Sequence, residues 1–281
     1  MEQGKPSQTA NLVCLFRALE YEWNKQDSDL KDVFAEKFLT GRSVKQFRLF
    51  KNRLFSERYR EFSFYLYDWI ILRHAYIDKM VREQCSEKPL ILLGAGYDSR
   101  GLRLKEFIKK GIIEIDFPST SQEKRRILQN NKYDVSHIRY HEADFQNQNL
   151  NEILKPLNLA GTPALVIWEG VTMYVNPGVI ESTIHEIGNY FGANTQIAAD
   201  YWNKDGSSIF NSALLKKATE IFFKTYYNEP LLFSASASEF RQMALKNGAG
   251  KFDSFSATDL AKQLNLNLKE NGLNHLAIIQ Y

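Results

Sequence analysis

Residues 90–100 read Leu-Ile-Leu-Leu-Gly-Ala-Gly-Tyr-Asp-Ser-Arg, and Asp116 stands twenty positions past Gly96, in Ile-Ile-Glu-Ile-Asp-Phe-Pro. The apolar run Leu90–Leu93 predicts a strand buried on both faces, as in a parallel sheet. Gly94 and Gly96 let the backbone turn sharply and lie close to a ligand, with no Cβ between them. An acid about twenty residues on, at the end of a second apolar strand, is where a ribose-hydroxyl acceptor sits in nucleotide-binding α/β folds. The pairing points to an adenosine-containing ligand. The alternative is a glycine-rich strand-to-helix turn of an ordinary α/β protein.

The loop discriminates among such ligands. A dinucleotide site calls for Gly-x-Gly-x-x-Gly, whose third glycine permits close strand–helix packing beneath a pyrophosphate. Ser99 occupies that position, which weakens a nicotinamide or flavin reading. No Gly-x-x-x-x-Gly-Lys phosphate loop accompanies it. An adenosine ligand without phosphate fits better, which points to S-adenosylmethionine.

The rest of the chain sets bounds. Its 281 residues suit one large α/β domain with additions, and 44% apolar with 13% aromatic content supports a sizeable core. A formal net charge of +3 is too small to argue for nucleic acid or a membrane. Cys14 and Cys85 lack metal-ligand spacing and read as reduced thiols. The polar start (Met-Glu-Gln-Gly-Lys-Pro-Ser-Gln) carries no secretory h-region, and Phe62–Leu72, short and holding Asp68, cannot span a bilayer. A cytoplasmic protein without a metal is expected. The segment 42–60 interleaves Arg42, Lys45, Arg48, Lys51, Arg53, Arg58 and Arg60 with Phe47, Phe50, Phe55 and Tyr59. It reads as the solvated face of a packed helix rather than a nucleic-acid contact. An anionic small substrate or acidic peptide drawn to that face is the intermediate reading.

No linker or repeat divides the sequence. Residues 12–84 read as helical, with Leu12, Leu15, Phe16 and Leu19 at helical spacing and a long amphipathic helix through Phe62, Tyr65, Leu66, Trp69, Ile70 and Arg73. From Pro89 the rhythm changes. Strands are expected at 90–93, 112–115, 138–141, 164–168 and 196–199, and helices at 99–110, 119–130, 150–154 and 177–191. This alternation implies right-handed crossovers and a parallel sheet. Leu276–Tyr281 predicts a final antiparallel strand at the sheet edge. A block from 203 to 250, rich in aromatics (Phe210, Phe222, Phe223, Tyr226, Tyr227), is a candidate lid over the strand ends.

Further constellations follow the later strands. Asp144-Phe145 closes the third, where Asp could accept from an adenine amine and Phe cover its ring; alternatively Asp144 is a helix N-cap. Glu169-Gly170 closes the fourth. An acid there is costly to bury unless bonded, so Glu169 is expected to face the cleft.

Together, Leu93-Gly-Ala-Gly-Tyr-Asp-Ser-Arg100, Glu114-Ile-Asp-Phe-Pro118 followed by Lys124-Arg-Arg126, Ala143-Asp-Phe145 and Glu169-Gly-Val-Thr-Met-Tyr174 resemble the leucine carboxyl methyltransferase family in order and spacing. Phe16–Glu20, Asp32–Leu39 and Glu229–Phe233 extend the resemblance over most of the chain. That family includes bacterial polyketide O-methyltransferase-like members.

The resemblance implies one methyltransferase domain over 1–281. Its parts are a helical cap at 1–87 and a doubly wound, mostly parallel, seven-stranded Rossmann-like core at 88–281, with a lid insertion at about 203–250. It implies S-adenosylmethionine as cofactor, held by Gly94, Ala95 and Gly96 behind the methionine, Asp116 at the ribose, and Asp144 and Phe145 at the adenine. Glu169 and Gly170 then line the pocket near the amino group, and Arg73 meets the methionine carboxylate in a bidentate contact. Arg17 is a weaker match for an assisting cation. The implied reaction is O-methyl transfer to a carboxylate or hydroxyl of a small molecule or peptide. A nicotinamide-dependent oxidoreductase and a non-catalytic binding relative are the alternatives. No catalytic residue is singled out: His74, Tyr174, His185, Asp200 and Tyr201 are candidate bases with no motif behind them. Ser99 replaces the family's usual Thr, and determinants for a particular peptide acceptor are not recognisable.

Overall fold

Leu90 aligns with Ile112 on one side and with Leu165 on the other, so the strand before the glycine loop lies in the middle of the sheet. The computed structural model describes residues 8–24, 31–52, 54, 58–59, 63, 66–145, 147–205, 231–266 and 273–281. Its strands are β1 (Leu90–Leu93), β2 (Ile112–Asp116), β3 (Ile138–Glu142), β4 (Leu165–Trp168), β5 (Gln196–Trp202), β6 (Lys251–Ser256) and β7 (Asn274–Gln280). They form one sheet in the order β3-β2-β1-β4-β5-β7-β6, with β7 antiparallel to both neighbours and the other pairings parallel. This is the doubly wound, mostly parallel, seven-stranded Rossmann-like sheet that the sequence leads one to expect. The strand order reverses between β1 and β4, which opens the crevice where ligands of such sheets bind.

Side-chain alternation explains why both faces are covered. Leu90, Leu92, Ile112, Leu165 and Ile167 face the amino-terminal helices, α1 (Gln8–Trp23), α2 (Arg42–Phe50) and α3 (Leu66–Gln84). Ile91, Leu93, Ile113, Ile115, Val166 and Trp168 face the other layer. There α6 (Leu150–Leu154), α7 (Pro177–Phe191) and α8 (Ala237–Lys246) complete the core; a short α4 (Arg100–Arg103) follows β1, α5 (Pro118–Asn130) follows β2, and α9 (Ala257–Gln263) follows β6. Local chemistry sets several boundaries. Pro118 opens α5, and Ser236 with Glu239 and Ser256 with Asp259 form reciprocal capping boxes.

Three expectations change. The helix expected over 99–110 stops at Arg103, and Lys109 N–H donates to Cys85 O at 2.8 Å, back towards α3. The last strand is not the edge: β6, which the sequence reading missed, pairs outside it. Within the 203–250 block, α8 packs Phe240 against Tyr201, Phe233 and Phe252 as part of the core. The block's aromatics Phe210, Phe222, Phe223, Tyr226 and Tyr227 lie outside the described residues, as do Arg53, Phe55 and Arg60 of the basic segment and Phe62 and Tyr65 of the long helix. No described helix is long and apolar enough to cross a membrane.

Candidate functional site

A cavity of about 440 Å³ opens at the carboxyl ends of β1 to β4, within the size range of small-molecule sites. Arg73, Gly94, Ala95, Gly96, Asp116, Asp144, Phe145, Glu169 and Gly170 all line it, together with Arg17, His74, Asp98 and Tyr174. Thr9, Ala10 and Val13 of α1 close it on the side of the amino-terminal helices.

The glycine loop is fixed from several directions. Gly94 N–H donates to Ile115 O at 2.8 Å, and Gly94 and Gly96 have φ of +71° and +49°. A Cβ on Gly94 would collide with Val171 Cγ2, so this glycine admits a protein side chain as well as a turn. Arg17 Nη2 donates to Tyr97 O at 2.7 Å while its Nη1 pairs with Asp32 at 2.9 Å, tying α1 to the loop. Asp116 ends β2 with one oxygen accepting from Gly96 N–H and the other from Phe117 N–H at 2.6 Å. Burial pushes its carboxyl up to about 6, against these two N–H donors.

Asp144 does not cap the next helix. Asn149 is the N-cap of α6, accepting from Asn151 N–H at 2.8 Å. Asp144 instead accepts from Asn147 Nδ2 at 2.8 Å and, beside Phe145, is half-buried on the cavity wall.

At the other end of the cavity sits a buried ionic network. Glu169 Oε1 accepts from Arg73 Nε at 2.7 Å, and Oε2 accepts from Arg100 Nη1 at 2.8 Å. Arg73 Nη1 pairs with Asp200, whose other oxygen accepts from Gly170 N–H at 2.6 Å. Arg73, expected to meet a ligand carboxylate, is thus already bonded to two protein carboxylates. Two of its three nitrogens are engaged, and only Nη2 makes no hydrogen bond among the described residues.

Arg100, with no exposed surface, also donates from Nε to Asp78 at 2.7 Å, from Nη1 to Asp98, and from Nη2 to His74 Nδ1 at 2.5 Å. A guanidinium can only donate, so His74 Nδ1 accepts and its proton sits on Nε2, 3.0 Å from Glu169 Oε1 but off a hydrogen-bond line. Burial, and then Arg100, hold the His74 pKa well below its ordinary value, so the ring is neutral. Asp98 is held down at about 2, because Arg100 and Arg17 outweigh the upward push of burial.

The sequence reading missed Arg100, Asp98 and Asp78. The available signal was a helix that carries polar Arg73, His74 and Asp78 among apolar residues such as Ile70, Ile77 and Val81. Of the other candidate bases, Tyr201 bonds Ser254 at 2.9 Å and packs in the opposite layer, and His185 is exposed on α7 beside Asn189.

The family model for leucine carboxyl methyltransferase matches residues 10–188. No curated protein matches the chain by sequence. Among solved structures, human N-acetylserotonin methyltransferase in complex with S-adenosylmethionine is 12% identical with a TM-score of 0.48, covering 76% of this chain and 55% of its own. PKMT2 from Rickettsia typhi is 9% identical with a TM-score of 0.48, covering 73% and 52%. An O-methyltransferase family protein from Burkholderia thailandensis is 12% identical with a TM-score of 0.48, covering 97% and 68%. The chain thus spans about half the length of the first two. With the family model covering well over half of its residues, the chain belongs to the leucine carboxyl methyltransferase family, whose members use S-adenosylmethionine.

Proposed function

We propose that this chain is an S-adenosylmethionine-dependent O-methyltransferase, that residues 1–281 act as one methyltransferase domain, and that a carboxylate is its acceptor. The observation that carries this reading is the convergence of residues from α3, the glycine loop, and the ends of β2, β3 and β4 on one cavity.

The donor set fits the cofactor. Asp116 offers carboxylate lone pairs to ribose hydroxyls, Asp144 and Phe145 suit an adenine edge and face, Glu169 suits an ammonium, and Arg73 Nη2 suits a carboxylate oxygen. Arg17 Nε and Thr120 Oγ1, on lining residues, are buried without a partner among the described residues, as polar groups awaiting a ligand would be. When bound, the cofactor supplies a methyl group on a sulfonium, reactive enough that the protein need only orient the acceptor and exclude water.

The choice of acceptor follows from the proton inventory. A hydroxyl nucleophile benefits from a general base, whereas a carboxylate is already ionised at neutral pH. His74, the histidine on the cavity wall, carries its proton on Nε2, the nitrogen turned towards Glu169, and so is not poised to take another. Glu169 and Asp200 are committed to Arg73 and Arg100.

The test is transfer from methyl-labelled cofactor to a panel of carboxylic acids and phenols, with parallel titrations of S-adenosylhomocysteine and NAD. The expected product is a methyl ester that releases labelled methanol in mild alkali. An alkali-stable methyl product would overturn the carboxylate assignment, and binding of NAD alone would overturn the methyltransferase reading.

A further inference from the structure

Helix α2 turns one aromatic inward and a leucine outward. Phe47 is 4% exposed, whereas Leu49 is 63% exposed and Leu54, just past the helix end, is 84% exposed. The inner side is held by α1: Trp23 Nε1 donates to Phe50 O at 3.0 Å, and Phe50 packs on Tyr59 with ring centroids 4.7 Å apart. At about 100° per residue, Lys45 and Leu49 both lie roughly 160° round the helix from Phe47. Leu49 therefore stands at the crown of the outward face, one turn from Lys45 and next to Arg48. Arg42, Lys45, Arg48 and Lys51 are all exposed, and none makes an ion pair or a side-chain hydrogen bond among the described residues.

We propose that this face docks peripherally on an anionic lipid surface, with Leu49 and Leu54 entering the headgroup layer and the four cations meeting lipid charges.

Charge and shape argue for that occupant. The total charge of +3 is too small to favour a membrane, but it is unevenly spread. Residues 42–60 hold seven Lys and Arg against one acid, Glu57, an excess larger than that of the whole chain, so the remainder is net negative. An anionic surface attracts this face and repels the rest, which orients the protein as well as binding it. Peptide ligands are held in grooves or along sheet edges. A helix crown with protruding leucines is convex and offers neither, whereas a lipid surface accepts a convex element. Leucine ringed by Lys and Arg is also the composition of helices that lie in a membrane interface. None of these residues lines the cavity, so the docking face is separate from the ligand site and does not depend on the cofactor reading.

The test is flotation of the full chain with vesicles of phosphatidylcholine alone, or with about one-third phosphatidylserine, at low and high salt. The wild type should bind the anionic vesicles only, and salt should weaken the binding. A cation near such a surface is worth about fivefold in affinity, so Lys45→Gln with Arg48→Gln should weaken binding roughly twentyfold. Leu49→Ser with Leu54→Ser should cost about tenfold per leucine and leave the salt dependence in place. Lys109→Gln with Lys110→Gln removes the same charge from exposed positions before β2 and should change nothing. All six positions are exposed, so thermal unfolding should stay at the wild-type midpoint. Equal weakening by the Lys109 and Lys110 pair would assign the effect to total charge and overturn the proposal. Equal binding to neutral vesicles, or indifference to both α2 pairs, would overturn it as well. Binding of poly-glutamate through α2 without binding of vesicles would give the face to an acidic protein instead.

Discussion

Arg73 Nε and Glu169 Oε1 meet at 2.7 Å across 96 positions of sequence, joining the middle of α3 to the end of β4 inside the cavity wall. Arg73 is thus at once a wall of the site and a strut of the fold. Arg73→Ala would leave Asp200 without its cation and Glu169 with Arg100 alone. Removing one partner of a buried ion pair typically costs about 3–5 kcal/mol. Denaturant unfolding should show a loss of that order. Arg73→Lys, which keeps the charge without the fork, should lose less stability, while binding of S-adenosylhomocysteine falls in both variants.

Gly94 and Val171 make a second separable pair. Gly94→Ala meets two obstacles, a φ of +71° and a Cβ driven into Val171 Cγ2. The backbone strain alone is worth about 1 kcal/mol or slightly more. If the steric collision dominates, Gly94→Ala with Val171→Ala should recover most of the stability lost in the single variant and leave a residue of about that strain. Thermal unfolding of the two single variants and the double variant measures the coupling. Additive losses would show that the collision is relieved by backbone movement instead.

The contrast between what was legible and what was not has physical causes. Leu90–Leu93 declares itself because a strand covered on both faces has no polar positions. Lys251–Ser256 does not: Asp253 and Ser254 sit between Phe252 and Phe255, so neither an alternating nor a continuous apolar pattern emerges, and missing it put the last strand at the wrong place in the sheet. Gly94, Asp116, Asp144 and Glu169 were readable because they stand just at or past strand ends, where the register is set by the apolar runs before them. Arg100 was not. A charged residue opening a short helix looks solvated in sequence, and its burial exists only because Asp78 and Glu169 arrive from 22 residues before it and 69 after. Sequence patterns report local period; a buried charge hub is defined by partners distant in the chain.

Asp116 carries a pH dependence whose sign follows from its position. Burial lifts its carboxyl from 3.8 to about 6 in the folded chain. Between those values the native state holds more protons than the unfolded chain, so the contribution of Asp116 to stability declines as pH rises from about 4 through 6 and is constant above. Ligand binding has the opposite slope, because ribose hydroxyls donate to the ionised form. Affinity for S-adenosylhomocysteine should therefore fall as pH drops below about 6, by at most tenfold per pH unit. Asp116→Asn should bind more weakly at pH 7 and lose that acid limb. An unchanged pH profile in the asparagine variant would assign the dependence to another group.

Asp32 fastens the amino-terminal helices to the glycine loop. It accepts from Arg17 Nη1 at 2.9 Å, from Ser99 Oγ at 2.7 Å, and from the N–H groups of Phe34 and Ala35 at 3.1 Å each. Ser99 Oγ in turn accepts from Arg103 Nε at 2.7 Å. The residue that departs from a dinucleotide loop thus adds a second link from this loop to α1, beside the Arg17–Tyr97 bond, through a carboxylate with 1% exposure. Asp32→Ala removes these four hydrogen bonds and an ion pair to Arg103 at 3.7 Å, and leaves Arg17 buried beside the cavity without its paired carboxylate. A loss of about 3–5 kcal/mol is expected. Hydrogen exchange should locate it: the amides of α1 should lose protection before those of β1 and β4, and affinity for S-adenosylhomocysteine should fall because Ala10 and Val13 no longer close the cavity. Ser99→Ala removes one hydrogen bond of the same joint and should show a smaller effect with the same pattern. Uniform loss of protection across the sheet would mean that Asp32 supports the whole fold rather than this joint.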